Sequence, residues 1–257
     1  MHILVTNDDG VSAPGLLALA QEMRLLGKVT VLAPDRNWSA SGHVKTLHRP
    51  LRAKPVTLAD GTPALASDGA PSDCVALALM GLVPEPVDLV VSGINPTANI
   101  GHDLTYSGTV TAAMEAAIFG VKALSISLNS TPQTPQPLDY APAALYARRI
   151  AAEVLQRGLP PGTLLNVNVP ALALDDIRGI LTTRQGTRIY RDQLVTREDP
   201  HGHPYYWIGG DAPVGVPEPG TDYGALVEQH VSVTPIQLDL TAYALIETLQ
   251  GWGWNAH

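Results

Sequence analysis

A strand, a helix and a second strand follow one another within the first 34 residues, and that succession restricts the fold more than any other feature of the chain. Ile3-Leu4-Val5 is a short apolar block of β-forming side chains bounded by polar residues, the pattern of a strand buried on both faces. Leu16 to Leu26, opened by Pro14 and closed by Gly27, has the composition and boundaries of a helix. Val29 to Ala33 is the next apolar block. Strands joined by a helix in so few residues lie parallel with a right-handed crossover. The expected fold class is therefore α/β, a doubly wound and mostly parallel Rossmann-like sheet.

Val87 to Val91, Ala123 to Leu128 and Thr163 to Val169 continue the series of strands. Helices are expected between them from Ser72, as N-cap, to Met80, from Val110 to Phe119 and from Ala141 to Gln156. Residues 44–69 carry Pro50, Pro55, Gly61 and Pro63 and read as an antiparallel excursion turning at Asp60-Gly61. After Pro170 the alternation stops. Ile180 to Tyr190, Tyr205 to Ile208 and Val231 to Thr234 read as strands, Asp211 to Gly220 as a loop and Leu240 to Gln250 as a last helix. The expected organisation is a metal- and nucleotide-binding α/β core over residues 1–170 and a β-rich extension over 171–257, with one continuous domain as the alternative.

Composition narrows the class. With 45% hydrophobic and 16% charged residues the chain is ordinary globular protein, and no apolar run approaches the ~18 residues of a membrane span. The amino terminus enters the first strand without a basic and then apolar leader, so the cytoplasm is the expected compartment. A single cysteine, Cys74, rules out an intrachain disulfide. A net charge of −8 argues against nucleic-acid duplexes as partners. It leaves small phosphorylated ligands open, because their sites rely on backbone N–H groups and metal ions.

Asn7-Asp8-Asp9-Gly10 follows the first strand. Adjacent carboxylates repel each other and are costly beside a sheet unless a cation neutralises them; a solvated loop closed by an Asx-turn is the other reading. Ligands of an open parallel sheet bind beyond the carboxyl ends of its strands. Three loops leave such ends and carry Asp8 with Asp9, then Ser39, then Asn95. Two carboxylates, a hydroxyl and an amide oxygen suit Mg²⁺, Mn²⁺ or Ca²⁺ and suit zinc poorly. Ser107-Gly108-Thr109 opens a helix whose N–H groups and positive pole fit a phosphate, N-capping by Ser107 or Thr109 being the plainer role.

These segments carry a resemblance. Ile3 to Gly10, Ala33-Pro34-Asp35-Arg36-Asn37-Trp38-Ser39, Ser92-Gly93-Ile94-Asn95 with Asn99 and Gly101, Tyr106 to Val110, Thr183 to Arg188 and Val231 to Pro235 are similar to the SurE family of stationary-phase survival nucleotidases. The resemblance implies a metal-dependent phosphomonoesterase acting on nucleoside 5′- and 3′-monophosphates, with one divalent ion per subunit, Mg²⁺ or Mn²⁺, held by Asp8, Asp9, Ser39 and Asn95. It also implies a homodimer or homotetramer whose carboxyl-terminal elements exchange between subunits. Asp8 or Asp9 is then the general base, and Ser107, Gly108 and Thr109, helped by Asn99, hold the phosphoryl group. Family members often carry Gly at the position of Ala40 and Ala-Gly at Pro96-Thr97, departures that stiffen two loops without changing a ligand atom. Two rivals are a phosphatase that forms an aspartyl-phosphate and a receiver-like signalling module. The first uses aspartates at alternate positions, and the second needs an aspartate ending the third parallel strand, where this chain has Ser92 to Asn95. His201, His203, Tyr205, Tyr206 and Trp207 read as an aromatic-anchored hairpin at a subunit contact, with nucleobase stacking as the alternative.

Overall fold

In chain order the elements of the computed structural model are β1 (His2–Thr6), α1 (Pro14–Arg24), β2 (Lys28–Pro34), β3 (Ala53–Thr57), β4 (Pro63–Ser67), α2 (Pro71–Leu77), β5 (Leu89–Asn95), α3 (Gly108–Ile118), β6 (Lys122–Asn129), α4 (Ala141–Arg157), β7 (Thr163–Pro170), β8 (Ile180–Thr182), β9 (Arg188–Glu198), β10 (Pro204–Gly215), α5 (Asp222–Val227), β11 (Val231–Gln237) and α6 (Tyr243–Gln250). The structure describes residues 1–252 and 254, with Asp211 and Ala212 described by their backbone alone, so the last residues of the 171–257 extension lie outside it.

Nine strands form one sheet in the order β3-β4-β2-β1-β5-β6-β7-β11-β8, and β9 pairs with β10 in a separate ribbon. From β4 across to β7 every neighbouring pair is parallel. The α/β class and the doubly wound, mostly parallel sheet are as expected. All five residues of β1 are buried. Ile3 and Val5 pack with α1 and α4 on one face of the sheet, while Leu4 packs with α2 and α3 on the other. Because both faces are covered, the central strands read as unbroken apolar blocks. The chain leaves β1 towards β2 on one side and returns to its other side with β5, which puts the reversal of strand order beside the carboxyl end of β1. Among the described residues no helix is long and apolar enough to cross a membrane.

Several boundaries differ from expectation for local reasons. Strand β5 runs on to Asn95 instead of stopping at Val91, so Asn95 is the last strand residue and not part of a loop. Its pairing with β6 slips between Ser92 and Asn95. Gly93 makes the passage there with φ +143°, where a Cβ would sit 2.4 Å from the Ile126 carbonyl oxygen. Helix α2 begins at Pro71. Its Ala70 N–H donates to Asp73 Oδ2 at 2.9 Å, and the Ser72 hydroxyl, expected to cap the helix, instead donates to the Val44 carbonyl.

The stretch 180–190 divides into β8 and the start of β9, because the Gly186 N–H is drawn to Asp222 Oδ1 at 2.9 Å. β10 extends through the first part of the expected 211–220 loop. Helix α5, unforeseen, is capped by Thr221, whose Oγ1 accepts the Gly224 N–H at 3.0 Å. The main sheet continues past Pro170, since β11 pairs antiparallel with β7 and parallel with β8.

Candidate functional site

At the end of β1 the Asn7 side chain closes the turn by itself, donating from Nδ2 to the Gly10 carbonyl at 3.0 Å and accepting the Gly10 N–H at 3.2 Å. An Asx-type turn therefore exists, but Asn7 makes it, and neither aspartate is used up by it. Asp8 is buried, and the Thr109 hydroxyl donates to its Oδ1. Burial holds the Asp8 carboxyl above its ordinary value, against the Thr109 hydroxyl and the N–H groups of Asp8 and Thr109, which pull it down. Asp9 is pushed up to about 7, first by burial and then by the charge of Asp8.

Helix α3 aims its first turn at Asp8. A Cβ on Gly108 would lie 2.7 Å from Asp8 Cβ and 3.0 Å from Asp8 Oδ2, so only glycine lets the carboxylate seat there. Ser107 Oγ accepts the Val110 N–H at 3.1 Å and caps the helix. The Ser39 loop is laced to the same place. Trp38 N–H donates to the Asp8 carbonyl at 2.7 Å, Gly42 N–H to the Tyr106 carbonyl at 3.0 Å, and Thr111 Oγ1 to the Gly42 carbonyl at 3.0 Å.

Asn95 is oriented by the residues that follow it. Its Nδ2 donates to the Thr97 carbonyl at 2.6 Å and to Thr97 Oγ1 at 3.3 Å. The amide nitrogen is thereby committed to Thr97, and Oδ1 is the atom left to act as a ligand. Asn99 sits on a buried polar network from β6 and β7. Its N–H donates to Asn168 Oδ1, its carbonyl accepts from Asn166 and Asn168, and its Nδ2 donates to Ser127 Oγ at 2.8 Å.

Asp8, Ser39, Asn95, Asn99 and Ser107 share the walls of one cleft of about 340 Å³. Asp9 stands half-buried beside Asp8, and Gly108 and Thr109 buttress Asp8 from behind. The Thr109 hydroxyl does not cap α3 but donates to Asp8, so of the two expected caps Ser107 alone fills that role. Asp103, Tyr106 and Arg188 also line the cleft and were not singled out in the sequence. Arg188 lay within a segment quoted for the resemblance, yet nothing local marks it, because only the tertiary fold brings β9 to residues 101–103. The His201 to Trp207 cluster belongs to the β9–β10 ribbon, and none of its members lines the cleft. A larger cavity of about 800 Å³, with Met114, Ile118, Ile236 and Leu238 among its walls, is mainly apolar and lacks the paired carboxylates.

The donor set fits a hard divalent cation. Among the described residues no three His, Cys, Asp or Glu side chains gather as a metal cluster, so a cation in the cleft would draw on Ser39 and Asn95 as well as the two carboxylates. What the cleft offers is oxygen, from a carboxylate, an amide and a hydroxyl, with a second carboxylate alongside. Two adjacent carboxyls, both raised by burial, are the electrostatic deficit that a cation relieves.

A family model described as Survival protein SurE matches residues 3–192. The chain belongs to the SurE family. A relative named 5'-nucleotidase SurE from Herpetosiphon aurantiacus is 52% identical over 255 residues, 99% of each chain. Another of that name from Geobacter sulfurreducens is 49% identical over 256 residues, 100% of this chain and 95% of the relative. The crystal structure of a SurE protein from Aquifex aeolicus superposes with a TM-score of 0.82 at 38% identity, covering 97% of this chain and 98% of that one.

Within this SurE chain Ala40 adopts φ +57°. The left-handed region costs a non-glycine residue about 1–2 kcal/mol, whereas glycine costs roughly 0.5–1 kcal/mol through the unfolded chain. Ala40→Gly is therefore expected to be neutral or to stabilise by up to about 1 kcal/mol, read as the midpoint of urea unfolding. A loss of more than about 1 kcal/mol would contradict strain at Ala40.

Proposed function

We propose that this chain is a metal-dependent phosphomonoesterase that hydrolyses nucleoside 5′- and 3′-monophosphates to nucleoside and phosphate. The observation that carries it is the buried Asp8 carboxylate, gripped by the start of α3, in one cleft with Ser39 and Asn95. Relatives that match over almost their whole length are named 5'-nucleotidase, which supports the same reading.

One divalent ion per subunit, Mg²⁺ or Mn²⁺, held by Asp8, Asp9, Ser39 Oγ and Asn95 Oδ1, would withdraw charge from phosphorus and lower the pKa of a water. The remaining work belongs to the protein. Asp8, fixed by Thr109, serves as the rigid ligand; Asp9, without such a tether, takes the proton of the attacking water on its carboxylate. Ser107 keeps its O–H for a phosphoryl oxygen while its Oγ caps α3, and the positive pole of that helix favours the phosphate charge. Asn99, with Nδ2 tied to Ser127, offers Oδ1 as an acceptor for a substrate hydroxyl or a water.

The assembly is a homodimer or homotetramer built through residues 171–257, whose ribbon and α6 exchange between subunits. Leu194, Trp207 and Ile208 on the ribbon and Leu245 on α6 are exposed, and apolar surface of that extent calls for a partner. Sedimentation at two or four chain masses is the expected result.

The direct test is phosphate release from a panel of nucleoside monophosphates, with EDTA and with Mg²⁺ or Mn²⁺ restored. Activity lost to EDTA and regained with metal is expected. Undiminished release in EDTA, or no release from any nucleotide with metal present, overturns the proposal.

A further inference from the structure

At residues 103, 106 and 188 the cleft changes character. Arg188 donates from Nε and Nη2 to Asp103 Oδ2, both at 2.8 Å, and the Tyr190 hydroxyl donates to Asp103 Oδ1. The Arg188 and Asp103 side chains are only 17% and 20% exposed. Burial and the bond to Asp103 push the Tyr190 hydroxyl up to about 12, so it remains a proton donor to Asp103 at neutral pH. Tyr106, beside them in the same wall, is 62% exposed.

The placement is built from the core outward. The buried Asp222 carboxylate takes the Gly101 N–H on Oδ2 at 2.8 Å and the Gly186 N–H on Oδ1 at 2.9 Å. Gln185 Nε2 adds a bond to the Gly101 carbonyl at 3.0 Å. Together they fasten the turn before Arg188 onto the turn that carries Asp103.

A phosphate dianion seeks net positive charge, and here the Arg188 and Asp103 charges cancel. What remains is a fixed guanidinium plane with a spare Nη1 donor, a carboxylate acceptor and an open aromatic ring. That equipment suits a planar heterocycle and sugar hydroxyls. We propose that Tyr106 and Arg188 form the nucleoside end of the cleft, Tyr106 stacking on the base and Arg188, held by Asp103 and Tyr190, hydrogen-bonding the nucleoside, so that the site selects nucleotides over simple phosphomonoesters. The assignment rests on the proposed phosphomonoesterase reading and deepens it. Because Arg188 opens β9, the support given to the ribbon also sets the shape of this end of the cleft.

The test is the ratio of kcat/KM for AMP to that for glycerol 2-phosphate, both with Mn²⁺, in wild type, Tyr106→Ala, Tyr106→Phe and Arg188→Gln. Tyr106→Ala and Arg188→Gln lower the ratio by about ten- to a hundredfold, chiefly through KM for AMP, and Tyr106→Phe restores most of it because the ring is retained. Equal losses on both substrates, as a merely structural role would give, overturn the assignment, as does an unchanged ratio. Calorimetric binding of AMP to the Mn²⁺-loaded protein separates the two proposals if wild type hydrolyses neither substrate. Weaker binding to Tyr106→Ala then upholds the nucleoside end while the hydrolase reading falls, and equal binding overturns it.

Discussion

Asp8→Asn lowers phosphate release by about a hundred- to a thousandfold and flattens the pH dependence of the metal-free Tm. The first effect follows from position, since Asp8 is the buried carboxylate of the cleft and the one that α3 holds in place. Asparagine keeps the shape and can still accept from Thr109, but it loses the charge that a divalent ion requires. The second effect follows from linkage. Both carboxyls are raised in the folded protein, so each contributes stability that is present below the unfolded value near 3.8 and is lost as pH rises through the folded value, which for Asp9 is about 7. Metal-free wild type is therefore expected to lose Tm as pH rises from about 4 to about 7 and to regain it when Mn²⁺ is added. In Asp8→Asn one of the two raised groups is gone, and with it the like charge acting on Asp9. Scanning fluorimetry across that pH range, beside a phosphate-release assay, reads both effects. Activity within tenfold of wild type would contradict the role given to Asp8.

Gly108→Ala sets two effects against each other. Alanine gains up to about 1 kcal/mol over glycine in helix propensity. Against that, its methyl would stand 2.7 Å from Asp8 Cβ and 3.1 Å from Ser41 Oγ. Asp8 Cβ is carried by backbone at the end of a fully buried strand and cannot rotate away, so the contact wins. A net loss of about 1–3 kcal/mol is expected. Displacement of the carboxylate by a fraction of an ångström to 1 Å lowers kcat/KM by about a hundredfold. Urea unfolding and steady-state kinetics measure the two losses separately. A variant as active as wild type would show that the seat of Asp8 against α3 does not matter to the chemistry.

The parallel core was legible because its strands are buried on both faces, so Ile3-Leu4-Val5 and Val29 to Ala33 carry an unbroken apolar signal. The polar residues that end those strands were legible for the complementary reason: Asp8 and Ser39 interrupt the apolar pattern where a doubly wound sheet collects its ligands. Asn95 was found but misplaced in a loop, since Ser92 and Gly93 are small and carry no strand signal even though they continue β5. The bond from the Thr109 hydroxyl to Asp8 was not legible, because the two residues lie 101 positions apart. Asp103 and Asp222 carry no sequence signal, and Arg188, though inside a segment that bears the resemblance, has no role legible there. Their alignment depends on a buried carboxylate gathering N–H groups from two distant turns, and neither periodicity nor spacing records such a contact.

The most direct measurement of the central claim is calorimetric titration of Mn²⁺ into the metal-free protein, in wild type, Asp8→Asn and Asn95→Ala. The account predicts one ion per chain for wild type and the loss of that site in both variants. Unchanged stoichiometry and affinity in the two variants would show that the cation binds elsewhere, and the cleft between β1 and β5 would not be where the chemistry takes place.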